Sequence, residues 1–186
     1  LDTANNSSDT DITNIYTTNT NDVTVGNNYR LYIWTGSSLE LKGTLTTGAL
    51  HLNGSFHQKA NNLTVQTSLT QSGGTFLGSN AGMPIDLNGR LSISKGTFTN
   101  TSGNMNVAIN MFINENAVYS ANSSTIVLDG ATNSTIDASG ASLNSVTLKK
   151  TNATTQVIVG TGTTLPLTFN VVSTGSVVVH GMLRYT

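Results

Sequence analysis

The chain has 186 residues, of which 9% are charged, and its formal net charge is −1. No basic stripe is present to displace the counterions of phosphates, so nucleic acid is not an expected partner. No apolar run approaches the roughly 18 residues of a membrane-spanning helix, and the absence of cysteine excludes disulfides and thiolate metal sites. Asn, Thr, Ser and Gly supply about half of the residues, which predicts short strands and many turns rather than helices.

The N-terminal segment is polar and almost free of apolar alternation. It predicts an extended arm over residues 1–22, followed by a folded domain over residues 23–186. Within the arm, Asp9, Asp11 and Asn14 offer hard oxygen ligands at short spacing, which would suit calcium. The segment lacks the glycine and the distal glutamate of an EF-hand loop. A solvated arm is therefore the expectation, calcium is the alternative, and no cofactor is expected.

One sequence phrase recurs along the folded domain: two apolar residues separated by one residue, then one further residue and a glycine. Copies begin at Leu39, Leu50, Ile85, Ile126 and Val177. The alternation places one row of side chains inside and the next in solvent. We expect each glycine to supply a turn that other residues adopt only at a cost. The predicted turn glycines are Gly43, Gly54, Gly89, Gly130 and Gly181.

The spacing of the phrase predicts the architecture. With degenerate copies included, strand starts recur at steps of about 10–13 or about 19–22 residues, and a unit of about 21 residues buries its apolar row only by stacking on its neighbours. We therefore predict an all-β fold, a right-handed parallel β-helix (β-solenoid) of about seven coils. An immunoglobulin-like β-sandwich is the alternative, because it also has short, evenly spaced strands. Recurrence of the phrase itself favours the β-helix.

Longer segments repeat as well. Residues 69–79 read LTQSGGTFLGS, and residues 91–103 read LSISKGTFTNTSG; TIVLDG at 125–130 and ASLNSVTLK at 141–149 follow. With these segments, residues 35–183 resemble the repeats of large secreted bacterial β-helix proteins, the group of autotransporter passengers and filamentous-haemagglutinin-like adhesins. The resemblance implies a surface location and adhesion or fibre building. It transfers no functional residue, because that group shares none.

Candidate catalytic groups are scattered along the sequence. Among the carboxylates, Asp86 is expected to face outward and Asp129 to shape a turn. A polysaccharide-degrading β-helix enzyme would need several charges in one groove, so it is the least favoured function and we expect no enzyme. His51, His57 and His180 lack the spacing of metal ligands, and no serine occupies a nucleophile elbow.

Large apolar side chains are assigned to the core. Trp34, which follows Tyr32 and Ile33, is expected to cap the open end of the solenoid rather than to bind a sugar. Met111 and Phe112 are expected to fill the core. Asn-x-Ser/Thr triplets occur as often as this composition dictates, and their candidate glycosylation sites in the folded domain are Asn53, Asn62, Asn100, Asn122, Asn133 and Asn152.

These patterns lead to a functional expectation. We expect an extracellular or cell-surface structural protein, a subunit or module of a filament, sheath or adhesin, whose partner is itself. Copies would join by end-to-end β-stacking or strand addition, because charged residues that block edge pairing are scarce. The expected assembly residues are Val177, Val179, Leu183 and Tyr185. A module that binds surface glycans or another host surface is the alternative.

Overall fold

The computed structural model describes residues 9–11, 22–152, 154–165, 169–171, 176–179 and 182–183. All regular structure in these residues is β-strand, and each strand pair in them is parallel. The predicted all-β solenoid is confirmed. The β-sandwich alternative is wrong, because a sandwich of that type pairs its strands antiparallel.

The first face of the solenoid is a stack of eight strands in the described residues. Its inner column contains Leu45, Leu63, Ile85, Met105 and Ile126, each at most 2% exposed. The chain takes 18, 22, 20 and 21 residues to pass from each to the next, close to the predicted unit. The strands are Val23–Thr24, the first part of Leu45–Leu52 and of Leu63–Gln71, Ile85–Leu87, Asn104–Val107, Thr125–Leu128, Ser145–Leu148 and Phe169–Val171.

The second face follows the first in each turn. Its inner column contains Leu31, Leu50, Leu69, Leu91 and Met111, all fully buried. The two long strands run through both faces and join them into one sheet. The strands are Asp9–Asp11, Arg30–Ile33, the second part of Leu45–Leu52 and of Leu63–Gln71, Arg90–Ile93, Met111–Ile113, Ser134–Ala138, Gln156–Val159 and Ser176–Val179.

The third face is built around a stack of aromatic rings. Phe56, Phe76, Phe98 and Tyr119 lie in register, with ring centroids separated by 5.0, 4.3 and 5.8 Å. Offset stacking at these distances adds to the burial of the rings. The strands are Ser38–Glu40, Ser55–His57, Thr75–Leu77, Gly96–Thr99 and Ala117–Ser120, with the separate pair Thr164–Leu165 and Met182–Leu183 later in the chain.

Amide and hydroxyl side chains are buried at the corner after the third face. Gln58, Ser79, Asn100 and Ser124 are fully buried. The Gln58 Nε2 donates to the Pro84 carbonyl at 3.0 Å, while its Oε1 accepts from the Ser79 N–H at 2.9 Å. The Asn100 Nδ2 donates to the Ser124 hydroxyl at 2.7 Å. These bonds join successive coils, and the two bonds of Gln58 satisfy backbone groups that would otherwise be buried without partners.

A lysine ties three coils together at the corner after the first face. Lys150 is only 4% exposed, and its Nζ donates to the Ala108 carbonyl at 2.9 Å and to the Asp129 carbonyl. Burial lowers the pKa of Lys150. Burial, and next the nearby Asp86 carboxylate, raise the pKa of Asp129. The Asp129 carboxyl, which directly precedes the turn glycine Gly130, is therefore partly desolvated.

Candidate binding surface

The outer surface of the second face carries aromatic, imidazole, hydroxyl and carboxylate side chains. Because strand side chains alternate, the residues between the inner-column positions point outward. Parallel registers align these outward residues along the solenoid axis in one column, which we call the outer column. It contains Tyr32, His51, Thr70, Ser92, Phe112 and Asp137.

Aromatic rings cluster at the first end of the outer column. The Trp34 side chain is 47% exposed and lies outside the hydrophobic core. Its ring stacks on Tyr32 with centroids 5.5 Å apart, and Tyr32 stacks on His51 at 4.7 Å. The prediction that Trp34 caps the core is wrong, because alternation places it beside Tyr32 on the outside. Exposed ring faces of this kind offer a stacking surface.

A groove of about 450 Å³ lies at the other end of the outer column. Phe112 forms part of its wall and is 38% exposed. Met111 is buried as predicted, but the prediction of a core position for Phe112 is wrong, because it alternates outward between Met111 and Ile113. Glu115 and Asp137 also line the groove, and the Ser139 hydroxyl donates to the Asp137 carboxylate at 3.0 Å.

The groove brings together only two of the scattered carboxylates. Glu115 lies on the turn after strand Met111–Ile113, whereas Asp137 lies on the next second-face strand. Two carboxylates can bind hydroxyl groups through charge-assisted hydrogen bonds. The several charges that an acidic-polysaccharide-degrading site needs are not gathered in this groove.

A separate ionic cluster surrounds Glu40 on the third face. Lys42 donates to the Glu40 carboxylate, and the Lys59 Nζ lies 3.2 Å from it. Hydrogen bonds from Lys42 and Lys59 hold the pKa of Glu40 below its usual value. Burial, and then the Lys59 charge, lower the pKa of the neighbouring His57. The cluster is exposed, and its one carboxylate is paired with two lysines, which is typical of a surface ion-pair network.

No group of three or more His, Asp or Glu side chains arranged to hold a metal ion occurs in the described part of the chain. Of the calcium candidates, Asp9 and Asp11 lie in the strand that pairs with Arg30–Ile33, and Asn14 lies outside the described residues. A strand thus forms within the predicted arm, and calcium binding stays a prediction.

The turn glycines are required for two different reasons. Gly130 has φ +76°, the left-handed conformation that glycine tolerates best. At Gly89 and Gly54 a Cβ would lie 1.6 Å from the Thr67 carbonyl oxygen and 2.2 Å from the Trp34 carbonyl oxygen. Close approach of the preceding coil, rather than positive φ, therefore selects glycine there. Gly43 lies in a bend, and Gly181 lies outside the described residues.

The candidate glycosylation sites differ in exposure. Asn100 is wrong as a candidate, because its side chain is fully buried and its Nδ2 donates to the Tyr119 hydroxyl at 3.0 Å. A glycan there is incompatible with the fold. Asn133 and Asn152 are exposed, whereas the remaining three are half-buried: Asn53, Asn62 and Asn122.

The expected assembly residues lie at the last described strands. Val177 and Val179 belong to strand Ser176–Val179, which pairs with Gln156–Val159 and ends the second-face stack. Leu183 belongs to Met182–Leu183, which pairs with Thr164–Leu165. Tyr185 lies outside the described residues. Within the described chain, strand Ser176–Val179 therefore has a strand partner on one side only.

Comparison with known proteins does not identify a relative of this chain. No protein-family model, curated protein or solved structure matches the sequence. In the described residues there is also no helix with the length and apolarity needed to cross a membrane.

Proposed function

We propose that this chain is an extracellular structural protein, a rigid β-solenoid module of a surface filament, sheath or adhesin whose copies join end to end. One observation carries the proposal: the second-face stack ends at both limits in a strand with a single described neighbour, Asp9–Asp11 at one end and Ser176–Val179 at the other. Such strands present a row of backbone donors and acceptors that can pair with another chain. Repeated head-to-tail pairing builds a filament.

The pairing of Asp9–Asp11 supports strand addition as the mode of assembly. This short N-terminal strand aligns Asp9, Thr10 and Asp11 with Arg30, Leu31 and Tyr32. A polar segment from outside the regular coils is thus compatible with the edge of the stack. The same segment from a neighbouring copy would supply the same backbone bonds, as in other strand-addition complexes.

A non-catalytic, structural role fits the distribution of polar groups. Buried polar side chains such as Gln58 and Asn100 bond neighbouring coils to one another, so their chemistry serves cohesion. The surface relies on hydroxyl and amide groups rather than charges, with 9% charged residues in the chain. That composition supports the proposed location outside the cell.

A matched pair of lysine substitutions tests the assembly. Val178→Lys adds a charge to the last second-face strand, and Thr147→Lys adds the same charge to the first-face strand Ser145–Leu148, which has a strand partner on both sides. Sedimentation velocity of the wild type should show oligomers that grow with concentration; Val178→Lys should reduce them, and Thr147→Lys should leave them unchanged. A wild type that stays monomeric, or two variants with equal effects, would refute end-to-end assembly.

The outer column favours a second function, the binding of a glycan or another host-surface ligand. Trp34 and Phe112 expose aromatic rings on the same face, and hydroxyl side chains lie between them. A glycan array tests this function, since a purely structural subunit should show no saturable binding.

A further inference from the structure

We propose that the outer surface of the second face is a binding track for a linear, neutral, β-linked polysaccharide that lies parallel to the solenoid axis. The inference rests on the second function above and names its ligand. It does not depend on end-to-end assembly. Trp34 with Tyr32 would hold one end of the bound segment, and Phe112 would hold the other.

The aromatic side chains at the first end of the track favour a β-linked polysaccharide. Sugar rings stack on aromatic side chains through a flat face of C–H groups, which β-linked hexopyranoses with equatorial substituents present. Trp34 is 47% exposed, and its stacking on Tyr32 within 10° of parallel holds the ring in one orientation. A ring held in place loses little conformational entropy when a ligand binds.

The spacing of the track matches a polymer. Tyr32 and Phe112 are separated by four coil steps, through His51, Thr70 and Ser92. At about 4.8 Å per step the two aromatic ends are about 19 Å apart. One coil step is similar to the length of one hexose in an extended β-linked chain. Each sugar between the ends would therefore meet one coil, where hydroxyl side chains can exchange hydrogen bonds with it.

Charges of both signs flank the track, because Arg30 and Arg90 are exposed at the start of their second-face strands, so no net attraction favours a charged polymer over a neutral one. The middle of the track presents the hydroxyl groups of Thr70 and Ser92, and the carboxylates Glu115 and Asp137 lie at the Phe112 end. An anionic polymer would bring its charges toward these carboxylates, which is unfavourable at close range. A neutral sugar can instead donate its hydroxyl groups to them.

The lone tryptophan makes the proposal directly testable. Trp34 is the only tryptophan in the chain, so its fluorescence reports ligand at one end of the track. Titration of the full chain with a β-1,4-linked glucose hexasaccharide and with a β-1,4-linked N-acetylglucosamine hexasaccharide should shift Trp34 emission saturably for at least one of them. The corresponding disaccharide should bind at least about tenfold more weakly, because it cannot reach both aromatic ends.

A substitution at the far end shows whether one ligand spans the track. Phe112→Ala should weaken the hexasaccharide affinity read at Trp34 by about tenfold, although Phe112 lies four coils away. Val118→Ala, which truncates the 65% exposed valine of the third face, should leave that affinity unchanged. Equal affinities for disaccharide and hexasaccharide, or no effect of Phe112→Ala, would overturn the track.

The outcomes also separate this inference from the functions above. Saturable binding on a glycan array without any change in Trp34 emission would keep the second function and overturn the track. If neither the array nor the titration shows binding, both are refuted, and end-to-end assembly is judged by sedimentation alone.

Discussion

Single residues of the third face determine how tightly its coils are held together. Phe76 is fully buried between Phe56 and Phe98, so its ring contacts the coil before it and the coil after it. Asn100 has a comparable role among the polar groups, because its amide bonds both Tyr119 and Ser124 of the next coil. Loss of the Phe76 ring would leave a cavity between its two neighbours, and loss of the Asn100 amide would remove two hydrogen bonds to the next coil.

Truncation of the central phenylalanine measures this cohesion. Phe76→Ala should lower the free energy of unfolding by about 3–5 kcal/mol, because it removes a buried ring and leaves a cavity between two others. Chemical denaturation provides the measurement, with Val118→Ala as the exposed control, for which a change within about 0.5 kcal/mol is expected. Similar losses in the two variants would contradict the stacked aromatic core.

The carboxylate of Asp129 gives the chain a specific pH dependence. Its folded pKa is raised above the usual 3.8 by burial and then by Asp86, so its contribution to stability is present below that value and is lost as the pH rises through the folded pKa. Asp129→Asn should therefore raise the melting temperature, relative to the wild type, more at pH 7 than at pH 3. A difference between the two proteins that does not vary with pH would contradict the burial of this charge.

At the scale of elements, alternation of apolar residues was sufficient to predict strands and their stacking. The recurring phrase does not mark one place in the coil, however: the copy at Leu39 lies on the third face, the copy at Leu50 on the second and the copy at Ile85 on the first. Each copy marks a strand and the corner that follows it. The phrase therefore predicted the period without assigning the faces.

The outward positions of Trp34 and Phe112 can also be predicted from the sequence. Phe112 stands between Met111 and Ile113, and Trp34 continues the alternation of Tyr32. The size and hydrophobicity of both side chains favour a core position, whereas the alternation of the strands places them outside. The burial of Gln58 and Asn100 could not be predicted from the sequence, because their hydrogen-bond partners come from other coils.

The alignment of the binding track could not be predicted either. Its residues follow one another after 19, 19, 22 and 20 residues, because the corners between strands differ in length. With a fixed period of about 21 residues, the position aligned with Tyr32 would be Asn116, and Tyr32 and Phe112 would lie in different columns. Only the register between neighbouring strands aligns them.

A pair of glycines tests the contact between neighbouring coils. Gly89→Ala should destabilise the protein strongly, because its Cβ would overlap the Thr67 backbone at 1.6 Å. Gly73→Ala should be tolerated, since the nearest atom, Oδ1 of Asn53, lies at an ordinary 3.4 Å. Thermal unfolding of both variants provides the comparison. Equal melting temperatures would contradict the close approach of coils at Gly89.

At the scale of the whole molecule, seven coil steps separate the first and last first-face strands. At about 4.8 Å per step they span about 34 Å along the axis. The second-face stack ends in edge strands at both described limits, and one long side carries the aromatic and hydroxyl track. A filament of such modules would repeat the track along its length, so that weak binding at each module would add up to strong attachment.

Negative-stain electron microscopy of the purified protein at increasing concentration tests end-to-end assembly most directly. We expect rods several modules long, thin and uniform in width, with a length that increases with concentration while the width stays constant. Monodisperse particles the size of a single module, unchanged at the highest concentration, would contradict the proposed function.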